Sequence, residues 1–215
     1  MADPKESFYE KVGALVCENL AKRGIEGIYV KNRAEACDHI AAMIPEGALI
    51  GLGGSVTLEE SGLMDRLRGM NVRLLDRYRA GVTREEISEM RHQGLSSDVF
   101  LASVNAITVD GKLVSEDGLG NRVACMIFGP KKVILIVGIN KIVHSVEAGV
   151  ARIKQVVAPM NSLRFSADTP CARTGLCDDA ACRPPARICS QIAIIENNSI
   201  EGRMTVVLVG EPLGF

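Results

Sequence analysis

The stretch Ala48-Leu49-Ile50-Gly51-Leu52-Gly53-Gly54-Ser55-Val56-Thr57 decides how this chain folds. Residues 48–52 are apolar and read as a buried strand. They run into two glycines and two hydroxyl residues, and a helical pattern then covers residues 58–67. Strand, glycine turn and helix in succession is the repeating unit of a parallel sheet, and it points backbone N–H groups at an anion. Ser55 and Thr57 can cap the helix, and Glu60, three residues after Thr57, has the spacing of a capping box. Gly53, Gly54, Ser55 and Thr57 are therefore candidate anion-binding residues. The competing reading is a tight, well-capped connection. The pattern lacks the lysine of a P-loop and is not a complete G-x-G-x-x-G.

Working outward, helical and strand-like segments alternate. Phe8, Val12, Leu15, Val16 and Leu20 share a face of an N-terminal helix within residues 1–22. Strands follow at 25–30, 72–75, 99–104 and 132–137, separated by helical patterns at 33–43, 84–92 and 121–128. Residues 107–109 and 113–114, joined by Asp110-Gly111, read as a hairpin with a type I′ turn. A helix at 146–157 is expected to end at Pro159. Residues 192–195 and 205–209 return to strand. This alternation predicts an α/β fold: a mainly parallel, Rossmann-like sheet with helices on both faces. Residues 166–190, rich in Cys, Pro, Asp and Arg, stand outside the pattern as a loop excursion.

Size and charge narrow the function. A chain of 215 residues, 47% of them hydrophobic, can bury one core, so a single domain over 1–215 is expected. Lys+Arg 25 against Asp+Glu 26 supplies no electrostatic pull toward nucleic acid or an anionic membrane. Aromatic residues are only 4% and tryptophan is absent, which removes the stacking platforms of single-strand binders. No apolar run is long enough to span a bilayer, and the polar start lacks a signal-peptide core. A cytoplasmic location with reduced thiols is the expectation.

A second glycine turn carries further candidates. Asn105 ends a strand, and Gly118-Leu119-Gly120-Asn121-Arg122 opens a helix. An arginine at a helix start is unfavourable unless an anion sits there. Asn105, Gly118, Gly120, Asn121 and Arg122 are thus assigned to ligand binding, with Arg122 as the clamp. Cys171, Cys177, Cys182 and Cys189 crowd into the excursion, where zinc or an iron–sulfur cluster, disulfides or redox thiols, and free structural thiols all stay open. Cys17, Cys37 and Cys125 read as small core residues. His39 and His92 read as surface residues. His144, near the expected ligand edge, is a weaker candidate.

Two resemblances attach to these residues. Ser115-Glu116-Asp117-Gly118-Leu119-Gly120 resembles the glutamate-containing turn of class I coenzyme A transferases, which makes Glu116 a candidate nucleophile. More of the chain is similar to the lactate-utilisation (LUD) domain family. Gly53 to Thr57, Asn105 to Thr108 with Asp110-Gly111, and Gly118 to Val123 carry that likeness. So do Phe128 to Val133, Gly138 to Val143, Ala158 to Asn161, Pro170-Cys171, Gly175-x-Cys177, Arg187 to Cys189 and Gly210 to Phe215. The resemblance implies a fold like glucosamine-phosphate and ribose-phosphate isomerases and coenzyme A transferases. It also implies a part in oxidising L-lactate to pyruvate beside iron–sulfur partner proteins. Joined to the anion-binding turns, this gives a small anionic metabolite in the cleft. A stand-alone transferase- or isomerase-like enzyme using Glu116, and a non-catalytic metabolite sensor or assembly protein, are the alternatives. Homo-oligomerisation stays open.

Overall fold

The computed structural model describes residues 3–215. Among them the strands are β1 Glu26–Val30, β2 Leu49–Leu52, β3 Arg73–Leu74, β4 Val99–Ala102, β5 Ala106–Thr108, β6 Leu113–Asp117, β7 Lys132–Gly138, β8 Ile142–Val143, β9 Gln191–Ile195 and β10 Met204–Val209. The helices are α1 Pro4–Ala21, α2 Arg33–Ala42, α3 Val56–Glu60, α4 Leu63–Arg68, α5 Arg84–Gly94, α6 Asn121–Ile127, α7 Val146–Arg152, α8 Ala158–Arg164 and α9 Pro170–Thr174. The expected N-terminal helix reaches two residues, Met1 and Ala2, that lie outside the described ones. No helix among the described residues is long and apolar enough to cross a membrane.

Six strands form a wholly parallel sheet in the order β1-β10-β7-β4-β2-β3. Strand side chains alternate between faces, and both faces here are covered. Ile134, Ile136, Val207, Val209, Val99 and Leu101 join one core with Ala36 and Ile40 of α2, Leu58 of α3 and Leu63 of α4. The intervening Val133, Leu135, Val206, Leu208 and Phe100 join the other, with Val16 and Leu20 of α1 and Met126 of α6. Each such buried Val, Leu, Ile, Phe or Met side chain stabilises the fold by about 1.5–3 kcal/mol. The α/β architecture expected from the alternating pattern is the one observed.

A second, mixed sheet, β8-β5-β6-β9, stands against the first. β5 and β6 form the expected hairpin. Its turn is not type I′, because of Asp110 and Gly111 only Gly111 has positive φ, at 88°. The Gly111 amide donates to the Thr108 carbonyl and Thr108 N–H to the Lys112 carbonyl, at 2.8 and 2.9 Å. This is a type I turn closed by a glycine bulge, the common three-residue hairpin.

Three local expectations are corrected. The helix expected over 58–67 is two: α3 begins at Val56, and the chain breaks at Gly62, whose φ is 80°. Ser61 Oγ stabilises the break by accepting the Leu63 amide at 3.2 Å. Because the helix starts early, Thr57 lies inside it and no capping box forms. Ser55 makes no side-chain cap, and Glu60 instead accepts the Gly214 amide at 2.6 Å. Pro159 does not end the helix that precedes it. A π turn at Ile153–Val157 joins α7 to α8, and Pro159 sits in the first turn of α8. A proline lacks the N–H and crowds the carbonyl four residues back, and a wider turn just upstream accommodates both.

Candidate functional site

In a parallel sheet, ligand crevices open beyond the carboxyl ends of the strands. β2 and β4 are neighbours, and each leads into a turn there: Gly53 to Ser55 after β2, Ser103 to Asn105 after β4. β6 ends close by at Glu116-Asp117, before the Gly118–Gly120 turn that opens α6. A cleft of about 410 Å³ lies between these turns, the π turn and α8, and the end of the cysteine excursion. A smaller recess of about 40 Å³ adjoins it and shares Gly54, Asn105 and Arg122 as walls. The two glycine turns picked out from the sequence therefore meet at one place.

Of the assigned residues, Gly54, Asn105, Gly118, Asn121 and Arg122 border the larger cleft. Ser55 and Thr57 border the recess. Gly53 lies beneath: a Cβ there would come within 2.9 Å of the Ala102 Cβ and 3.1 Å of the Arg122 Cγ, so only hydrogen fits. Gly120 is the left-handed residue preceding α6. The Ser55 amide is already taken, donating to Tyr78 Oη at 2.9 Å.

Arg122 borders the cleft, yet its guanidinium is gripped by the protein. Nε donates to Asp117 Oδ1 at 2.9 Å and Nη1 to the Ser103 carbonyl at 2.7 Å. Nη2 donates to Asn105 Oδ1 at 2.8 Å and to the Glu116 carbonyl at 3.0 Å. Asp117 Oδ2 accepts the amides of Arg122 and Val123 at 2.9 and 3.0 Å. The anion demanded by an arginine at a helix start is thus Asp117 itself. This buried network ties the ends of β4 and β6 to α6.

The cations without such partners are ones the sequence does not announce. Arg77, after β3, and Arg91, in α5, border the cleft. Burial first, and the neighbouring Arg77 charge second, hold Arg91 below its ordinary pKa. Arg91 Nε is buried with no hydrogen-bond partner. No carboxylate stands within ion-pair distance of either guanidinium among the described residues. Arg164 and Arg187, also on the wall, are paired with Glu59 at 3.4 Å and Asp179 at 2.7 Å.

Lys141 forms part of the recess and is only 3% exposed. Its Nζ lies 2.7 Å from Thr57 Oγ1, 3.0 Å from Ser103 Oγ and 3.2 Å from the Val104 carbonyl. No carboxylate pairs with it directly. Burial, with the Arg152 and Arg122 charges adding to it and the Glu60 charge offsetting the effect only in part, lowers its pKa to about 7. Its setting in the sequence, a lysine between Ile139 and Ile142-Val143 directly after an apolar strand, was the signal that could have found it.

Glu116 lines the cleft with its side chain 3% exposed. Oε1 accepts from Lys154 Nζ at 2.7 Å, while Oε2 is buried without a partner. Burial works to lower the Lys154 pKa, but the Glu116 hydrogen bond and charge outweigh it and hold the ammonium above its ordinary value.

The cysteine excursion packs beside Glu116. Cys189 is buried and lines the cleft. Cys171 is buried, its Sγ 3.3 Å from both Ser162 Oγ and Thr169 Oγ1. Cys177 is half-buried, and burial pushes its thiol pKa up. All four, Cys182 included, are free thiols; Cys177 feels the charges of Cys171 and Cys182, and Cys189 that of Cys182. Among the described residues, no three His, Cys, Asp or Glu side chains are gathered so as to hold a metal ion. His39, His92 and His144 are exposed.

Comparison with known proteins places this geometry. A DUF162 family protein from Deinococcus radiodurans, solved by crystallography, is 14% identical over 94% of this chain and 98% of its own, with a TM-score of 0.53. That is a likeness of fold. The eIF2B delta structure from Chaetomium thermophilum aligns with 55% of this chain and 50% of its own at 20% identity, with a TM-score of 0.34. No curated protein matches by sequence. Residues 14–209, which hold both glycine turns, the Arg122 network and the cysteine excursion, match the LUD domain, and the chain belongs to the LUD domain family.

Proposed function

We propose that this LUD-domain protein holds a small anionic metabolite in the 410 Å³ cleft and serves as a component of an L-lactate-oxidising, electron-transferring system. The family is related to lactate utilisation. One observation carries the ligand assignment: Arg77 and Arg91 crowd like charges at the cleft with no carboxylate between them, and Arg91 Nε is buried and unsatisfied. An unpartnered buried donor on a charged group costs on the order of 1–3 kcal/mol or more, which an incoming anion would recover. Carboxylates and phosphates both match the guanidinium fork. The cleft lies in the size range that encloses ligands much larger than a three-carbon acid.

Thermal shift and calorimetry with L-lactate, pyruvate and inorganic phosphate test the ligand assignment. Binding in the wild type that Arg91→Gln weakens at least tenfold is expected. The same variant should melt no lower than wild type without ligand, since it removes an uncompensated charge. Unchanged affinity in Arg91→Gln would refute the site. Lactate oxidation assayed with and without this chain in an otherwise complete system tests the wider role.

A further inference from the structure

Glu116 is the odd group in this cleft. The other charged side chains on its wall are five arginines, which only donate hydrogen bonds, and Asp117, whose two oxygens are consumed by Arg122 and the α6 amides. Glu116 offers one oxygen to Lys154 and leaves the other buried and empty. Its backbone is held in place. Its amide donates to Asn105 Oδ1 at 2.8 Å, its carbonyl receives Arg122 Nη2, and its backbone is registered against Ile192 of β9. Lys154 balances the charge but does not satisfy Oε2.

An ionised carboxylate oxygen can only accept, so whatever satisfies Oε2 must bring an O–H or an N–H. The arginines lining the same cleft, together with Lys154, repel a cationic ammonium. A neutral hydroxyl on an otherwise anionic molecule meets both demands. We propose that Glu116 is a specificity-determining residue whose Oε2 accepts a hydrogen bond from a ligand hydroxyl, so that the cleft selects hydroxylated anions, hydroxy acids or polyol phosphates, over counterparts lacking that hydroxyl. The inference rests on the anion-binding reading of Arg77 and Arg91 and adds the second recognition point. Sites built around a hydrogen bond to a substrate hydroxyl reject analogues without it, because the buried partner is then left unpaired.

The test is calorimetry on the full chain with glycerol 3-phosphate, n-propyl phosphate and inorganic phosphate. The first two share an anionic head and a three-carbon chain and differ in hydroxyls. Wild type should prefer glycerol 3-phosphate by about tenfold or more. The double variant Glu116→Ala/Lys154→Ala removes the acceptor without stranding the ammonium. It should bind both esters within about twofold of each other and inorganic phosphate as wild type does. Glu116→Gln, nearly isosteric, should likewise lose most of the preference if the double variant folds poorly. A wild-type ratio near one, or a ratio retained in both variants, overturns the role of Glu116 while phosphate binding leaves the anion site standing. Failure of all three probes to bind wild type overturns both.

Discussion

Replacing Lys141 with methionine should flatten the pH dependence of stability. In the unfolded chain this lysine titrates near its ordinary 10.5, and in the native protein at about 7, because its ammonium is buried near Arg152 and Arg122 and the Glu60 charge offsets only part of that. Between those two values the unfolded state holds a proton that the native state has released. Stability therefore rises with pH across that window. The contribution is fully present above the unfolded value and is gone once pH falls through the native one. Each pH unit corresponds to about 1.4 kcal/mol, so going from pH 6.5 to 9.5 should add about 3 kcal/mol from this group. Urea unfolding of wild type and Lys141→Met, measured across that range, isolates the effect as the difference between the curves. Cysteines, tyrosines and other lysines titrate in both proteins and cancel. Equal slopes for the two proteins would refute the reasoning and place the proton elsewhere.

Asp117→Asn should cost about 3–5 kcal/mol in urea unfolding, because it leaves the Arg122 guanidinium, itself only 9% exposed, without its counter-charge. Gly53→Ala should cost about 1–3 kcal/mol and weaken phosphate binding together, since the added methyl meets Ala102 and displaces Arg122. A calorimetric titration alongside thermal melting reads both effects.

What the residue pattern revealed and what it concealed divide by the range of the physics involved. β7 and β10 are short apolar runs whose alternate residues feed opposite cores, and nothing but a buried parallel strand satisfies them. The Gly53 and Gly118 turns were legible because backbone geometry there is local. Pro159 misled because a π turn, a tertiary accommodation, offset a local rule. Arg122 was assigned to a ligand because an arginine at a helix start calls for an anion. The anion turned out to be Asp117, five residues earlier, a pairing that depends on how β6 meets α6. Arg91 lies in the helical pattern at 84–92 and Arg77 just beyond the strand at 72–75, and neither carries a motif. Only the packing of α5 beside the loop after β3 brings their charges together and partly buries Arg91. Glu116 was singled out from a short likeness to a transferase turn, whereas its notable property, one satisfied and one empty oxygen, is visible only in three dimensions.

The place of β10 bears on how the molecule is made. It lies between β1 and β7, pairing with them over five and six residues, so among the described residues β1 has no hydrogen-bonded strand neighbour until β10, the last strand, arrives. During synthesis β1 and α1 must wait, with apolar side chains uncovered, while most of the chain leaves the ribosome. Closing so long a loop is slow, and the waiting segment is exposed to wrong partners. Chaperone dependence during expression, and intolerance of any lesion in residues 204–209, should follow from that order of assembly alone.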